Sequence, residues 1–188
     1  MVHALPHWTW PGREGRVTPV HVYTSGDSAE VFVNGKSQGV KRKGETWRLI
    51  WDDVRYEPGE LRVVAYRKGR VWAESVTRTA GAPAHLELTA DTRTLTTLND
   101  LAYVTVTLRD RDTVTYEDLA VTFEVTGSIE AAGFANGDPT DLAGLSNPKQ
   151  RTFHGLCQAV LRRREGADGK GRLVVTAENG LTSSLDFN

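Results

Sequence analysis

Two tryptophans and a histidine fall within four positions near the start of the chain, in the stretch LPHWTWPGREGRV, residues 5–17. A flat indole face can serve as a stacking platform for a ligand, so Trp8 and Trp10, with His7 beside them, are candidate ligand-contacting residues. Burial explains them as well, because sinking one large aromatic against Val20, Val22 or a neighbouring domain contributes about 2–3 kcal/mol. In an extended segment Trp8 and Trp10, two apart, would share one side.

A second candidate is the irregular stretch FANGDPTDLAGLSNPKQR, residues 134–151. Long loops without secondary structure are uncommon unless functional or tied down. Asn136, Asp138, Thr140 and Asp141 offer oxygens to a calcium ion or to sugar hydroxyls, while Asn-Gly and Asp-Pro are also ordinary turn chemistry.

Other chemistry finds no constellation. There is no G-x-S-x-G elbow, P-loop, H-E-x-x-H or dinucleotide fingerprint. His3, His7, His21, His85 and His154 are scattered, and His3 and His7 on one extended segment stand too far apart to share an ion. The single Cys157 excludes an internal disulfide and a Cys-based zinc site. Asp52 and Asp53 follow Trp51 at a strand end, where capping a turn accounts for them. A retaining glycosidase needs two carboxyls about 5–5.5 Å apart, and nothing announces such a pair. No catalytic residue, metal or cofactor is expected. The basic runs RKGE around Arg42 and LRRREG around Arg163 lack interleaved aromatics, so they read as solvated strand ends or interfaces.

The elements that must position these residues are strands. Ala29, Val31 and Val33 share one face of SAEVFVNG, Leu61, Val63 and Ala65 one face of ELRVVAYR, and Trp47, Leu49 and Trp51 one face of ETWRLIW. That alternation predicts Trp47 and Trp51 in the core and leaves Trp72 open. Further strands are expected in AHLELTAD, LAYVTVTLRD, LAVTFEVTG, LCQAVLRRR, GRLVVTAEN and LTSSLDF. Turn signals separate the runs at Asn34-Gly35, Pro58-Gly59, Lys68-Gly69, Asn136-Gly137 and Asn179-Gly180. No stretch of ten or more residues carries a helical apolar stripe.

The chain is all-β, read as two tandem immunoglobulin-like β-sandwich domains, residues 1–80 and 81–188. Ala80-Gly81-Ala82-Pro83 interrupts the strand pattern there, and Pro83 disfavours a continuing ladder. Charge changes sign at the same place. Residues 1–80 hold 13 Lys+Arg and 9 Asp+Glu, hence +4, and residues 81–188 hold 10 and 15, hence −5. The net charge of −1 gives no reason to expect nucleic acid or an anionic membrane as partner. No apolar run approaches the roughly 18–20 residues of a bilayer-spanning helix. The first residues lack a basic head followed by an apolar run, so no secretory leader is expected within this sequence. Met1 directly before a strand-like VHALPHW reads as the edge of a piece cut from a longer protein.

The pattern H-W-x-W-P-G-x-E-G, then VYT and AEVFVNGKSQG, resembles the segment that follows the catalytic barrel in glycoside hydrolase family 2 enzymes of the β-galactosidase type, especially those of Bacteroidetes. YEPGELRVVAY and WAESVTRTAG extend the resemblance to residue 81. AHLELTAD, YVTVTLRD, FEVTG, ANGDPTD and RTFHGLCQAVLR are similar to a further C-terminal immunoglobulin-like domain of that family. The family's catalytic glutamates lie on the barrel, so none can be placed on this chain. Thr9 stands where the family motif usually has Asn. The resemblance implies a non-catalytic accessory region that supports the barrel and the rim of its sugar pocket, with His7, Trp8 and Trp10 as the candidate sugar-contacting residues at that rim, the barrel as partner and a periplasmic or secreted parent. Two alternatives remain open: a carbohydrate-binding module tethering the enzyme to polysaccharide, favoured by an exposed row of aromatics, and an adhesin-like stalk. Oligomeric state is left open.

Overall fold

The computed structural model describes residues 1–111, 113–115 and 117–188. These divide into two compact units, Met1–Thr79 and Ala80–Asn188. Both are antiparallel β-sandwiches, and no helix occurs among the described residues.

Unit 1 has seven strands: β1 (Val2–Leu5), β2 (Val20–Thr24), β3 (Ser28–Val33), β4 (Lys36–Arg42), β5 (Arg48–Trp51), β6 (Glu60–Arg67) and β7 (Arg70–Arg78). One sheet runs β1-β2-β5 and the other β4-β3-β6-β7. The period-two positions form the interface between them. Ala29, Val31 and Val33 of β3, with Leu61, Val63 and Ala65 of the neighbouring β6, pack against Val20 and Val22 of β2 and Leu49 and Trp51 of β5 in one buried cluster. Two-residue turns close the hairpins. Asn34 and Gly35 sit at φ 48° and 79°, and Lys68 and Gly69 at φ 52° and 73°. Positive φ at both central positions gives the strand twist that a tight hairpin needs.

Unit 2 continues with β8 (His85–Ala90), β9 (Leu101–Arg109), β10 (Ala120–Gly127), β11 (Ile129–Ala135), β12 (Lys149–Arg151), β13 (Leu156–Arg163), β14 (Gly171–Ala177) and β15 (Thr182–Phe187). Its sheets run β11-β13-β9-β8 and β12-β10-β14-β15. The first sheet has the four-strand order of a constant-type immunoglobulin sheet, and β10-β14-β15 has the order of its three-stranded partner. Val104, Val106 and Leu108 meet Val121, Phe123, Leu161, Leu173 and Phe187 between them.

The structure corrects one alternation. Trp47 lies outside β5, in a bend at residues 45–47, and is 67% exposed, whereas Leu49 and Trp51 are buried. The bend breaks the period before the strand begins, and the Lys43 ammonium stands 3.1 Å from the centre of the Trp47 ring. Asn136-Gly137 closes no hairpin either, because β11 ends at Ala135 and β12 begins only at Lys149.

Candidate functional site

The His7–Trp10 segment follows β1 as an irregular knot, so the side-by-side placement expected of an extended strand does not apply. Trp8 turns inward and is fully buried. Its indole N–H donates to the Glu57 carbonyl at 3.0 Å, and the ring meets Tyr56 edge-on with centroids 5.2 Å apart. The Thr79 hydroxyl, just after β7, donates to the Trp8 carbonyl at 2.5 Å and accepts the Gly59 amide at 3.0 Å. The Tyr56 hydroxyl accepts the Trp10 amide at 3.2 Å. Trp8 thus has no face left for a sugar ring.

Trp10 and His7 form the outer layer. Both are half-buried and their rings stack at 4.0 Å, 27° from parallel. The Trp10 indole N–H donates to the His7 carbonyl at 3.0 Å, and His7 Nδ1 accepts the Thr9 amide at 3.2 Å. Nδ1 as acceptor leaves the ring proton of a neutral imidazole on Nε2. The Arg13 guanidinium lies 5.7 Å from the centre of the Trp10 ring, with Nη2 donating to the Val17 carbonyl at 3.2 Å. Of the three sequence-predicted sugar contacts, His7 and Trp10 are brought together at the surface and Trp8 is taken into the core beneath them.

In unit 2 the loop residues are also brought together, onto one another. The Asn136 amide donates to Asp141 Oδ2 at 2.5 Å and to the Arg151 carbonyl at 2.9 Å. Its carbonyl accepts the Asp138 amide at 2.9 Å. Asp138 Oδ1 accepts both the amide and the hydroxyl of Thr140, at 2.8 and 2.7 Å, and Asp141 Oδ1 accepts the Ala143 amide at 2.8 Å. These are side-chain turns that replace a hairpin's ladder. The Thr140 hydroxyl, then the Thr140 amide, hold the Asp138 carboxyl below its ordinary range. Among the described residues no group of three or more His, Cys, Asp or Glu is arranged to hold a metal ion.

Beside this loop lies a hollow of about 410 Å³ that the sequence does not reveal, lined by Asn136, Phe153, His154, Leu156 and Cys157 among others. The Phe153 and His154 rings stack at 4.2 Å across its wall. Burial pushes the Cys157 thiol up to about 12, so it is not a nucleophile at neutral pH.

The two basic runs have different fates. Arg162 donates to Glu130 at 2.7 Å, and Arg163 donates to the Leu95 and Ala167 carbonyls at 3.1 Å each, which consumes the run as structure. The run ending at Lys43 instead meets the exposed Trp47.

Residues 86–185 match the family described as Glycoside hydrolase family 2 C-terminal domain 5, and residues 15–73 match a Domain of unknown function (DUF4982). The chain is 39% identical over 190 residues to beta-galactosidase BoGH2A of Bacteroides ovatus, covering 98% of this chain and 22% of the relative. It is 32% identical over 188 residues to a putative beta-glucuronidase of Formosa agariphila, covering 94% and 18%. A solved glycosyl hydrolase family 2 member from Bacteroides cellulosilyticus superposes with a TM-score of 0.91 at 26% identity, over 97% of this chain and 25% of that one. The chain therefore spans about a fifth of the length of the curated relatives it matches.

Proposed function

We propose, from the premise that this chain belongs to glycoside hydrolase family 2 as part of its C-terminal region, that it is the non-catalytic accessory portion of a β-galactosidase-type enzyme. In that role it supports the catalytic barrel of its parent, with the His7–Trp10 face turned toward the barrel and the rim of its sugar pocket. The observation that carries this reading is coverage: the similarity runs through nearly all of this chain yet accounts for only 22% of the β-galactosidase relative. The bulk of such an enzyme, and the carboxylate pair its chemistry needs, lies elsewhere in the parent.

The galactoside assignment follows the higher identity, 39% against 32% for the putative glucuronidase.

At the His7–Trp10 face, Arg13 Nε is buried and has no hydrogen-bond acceptor among the described residues. A buried donor of that kind is completed when a further polar surface packs over it.

The test uses aryl β-galactosides and aryl β-glucuronides with two proteins. The 188-residue chain alone is expected to release no product from either. A full-length parent carrying this region is expected to hydrolyse the galactoside. Substituting Trp10→Ala in that parent is expected to lower its thermal midpoint or its kcat/KM, while Trp47→Ala leaves both unchanged. Turnover by the isolated chain would overturn the accessory assignment, and indifference to Trp10→Ala would overturn the barrel-facing role of that face.

A further inference from the structure

The opposite end of unit 1 from the Trp8 knot is built from two loops, residues 25–27 and 43–47, and the tip of the β6–β7 hairpin, residues 67–72. β2 carries Val20 beside Trp51 at one end and Thr24 beside Val2 at the other, and the second end adjoins these loops. Two adjoining hollows lie there, of about 420 and 550 Å³. Arg67 and Lys68 line both; Trp47 and Lys43 belong to the first, Trp72 and Arg70 to the second. Each is of a size that takes a monosaccharide or a short oligosaccharide segment.

Four cations line the hollows, Lys43, Arg67, Lys68 and Arg70, against one carboxylate, Asp27. Asp27 Oδ2 is already used, accepting the Lys68 amide at 2.7 Å as a brace for the hairpin turn. Among the described residues none of the four cations is in an ion pair, although Arg62, Arg78, Arg109, Arg162 and Arg172 each have one. The Lys68-Gly69 turn sets Arg67 directly across from Arg70 in the ladder. Like charges placed opposite are unfavourable in a sheet, and an anion between them reverses the sign of that contact.

Both tryptophans are held rather than loose. The Trp72 indole N–H donates to Ser25 Oγ at 3.0 Å, the Arg67 guanidinium stands 4.8 Å from its ring centre, and the side of the ring turned to solvent leaves the residue 45% exposed. Trp47 is backed by Lys43 and is 67% exposed. An aromatic face beside an uncommitted cation recognises a ring that is apolar on its face and anionic on its edge. In a chain of a glycoside hydrolase family, that ring is a pyranose bearing a carboxylate or a sulfate.

We propose that this end of unit 1 is a binding site for acidic oligosaccharide, with Trp47 and Trp72 taking sugar faces and Lys43, Arg67 and Arg70 taking the anionic substituents. Guanidinium and ammonium donors bond both carboxylate and sulfate oxygens with charge-assisted strength. The site rests on family membership and on this geometry, and is independent of the barrel-facing role of His7 and Trp10.

The test is calorimetry on the 188-residue chain with a neutral β-galactan hexasaccharide, a galacturonate hexasaccharide, a chondroitin sulfate hexasaccharide, inorganic sulfate alone and a short oligothymidylate. At low salt one acidic hexasaccharide is expected to bind at least about tenfold tighter than the neutral one, and the uronate and sulfate arms tell which anion is preferred. Raising salt to about 0.5 M should weaken that binding at least about fivefold, as exposed charge pairs are screened. Trp47→Ala and Lys43→Ser should each weaken it at least about fivefold, with nearly unchanged thermal midpoints because Trp47 is exposed and Lys43, half-buried, lies outside the core. Trp10→Ala should leave it unchanged. Equal affinity for neutral and acidic sugars, sulfate alone binding as well as the hexasaccharide, tightest binding by oligothymidylate, or no binding by any probe would each overturn the proposal.

Discussion

Unit 1 carries two pairs of tryptophans at its two ends, and they do opposite work. Trp8 and Trp10 are close in sequence, and both indole N–H groups donate to backbone carbonyls, of Glu57 and His7. Trp47 and Trp72 are far apart in sequence, exposed, and backed by cations that form no ion pair among the described residues. The conspicuous motif is mostly architecture, and the inconspicuous pair is the better placed for a ligand. What separates them is where each indole and its neighbouring charge spend their bonding capacity. A hydrogen-bonded, buried ring stabilises the sandwich, whereas an exposed ring beside an unpaired cation has capacity left for something else.

The largest expected effect lies at the Trp8 knot. Trp8→Ala removes a fully buried indole and is expected to cost about 3–5 kcal/mol, read by urea unfolding followed through the remaining tryptophans. A loss below about 1 kcal/mol would erase the contrast between the two ends, since that is the scale of an ordinary substitution. Next comes Thr79→Val. That hydroxyl joins the Trp8 carbonyl, the Gly59 amide and the Tyr56 hydroxyl, and leaving them unpaired should cost about 1–3 kcal/mol in the same assay.

A smaller effect is expected in unit 2 from pH. The Asp100 carboxyl is lowered by donors from Thr97 and Thr96 that exist only in the folded chain. A lowered folded pKa gives stability that is complete above the unfolded value near 3.9 and lost as pH falls through the folded value. The thermal midpoint should therefore decline with acidification below about pH 4, and the gap between wild type and Asp100→Ala should narrow over the same interval. A gap that widens in acid would reverse the assigned sign. The smallest stability effect belongs to Trp47→Ala, within about 0.5 kcal/mol of wild type, because that ring touches solvent and Lys43 rather than core.

Much of the framework was legible in the sequence because a sandwich buries alternate residues. Ala29, Val31 and Val33, and Leu61, Val63 and Ala65, all occupy the inner face as their spacing predicts. β4 carries no such period. Its residues are mostly exposed and polar, as suits an edge strand that charge keeps from pairing further. Alternation misplaced Trp47 because it lies in the bend that precedes β5 rather than in the strand itself. The knot at His7, Trp8 and Trp10 was visible as a motif, but its division into a buried and a half-buried indole depends on Glu57, Tyr56 and Thr79, which only the fold brings near.

The basic run ending at Lys43 illustrates the same limit. In sequence it reads as a solvated strand end or an interface, because no aromatics interleave with it. The fold supplies one from the adjoining bend, Trp47, and a second from β7, Trp72, whose indole N–H donates to Ser25 in the loop after β2. The Phe153–His154 hollow was hidden for the same reason, since its wall is assembled from β9, β11 and β13 together with the segment after β12.

The most direct measurement is the nitrogen-15 spectrum of the five indole N–H groups, followed as the better-binding acidic hexasaccharide is titrated into the intact chain. The Trp47 and Trp72 signals are expected to shift and saturate together, while those of Trp8, Trp10 and Trp51 stay in place. A shift confined to Trp10, or a full titration that leaves Trp47 and Trp72 unmoved, would contradict the division of labour between the two ends.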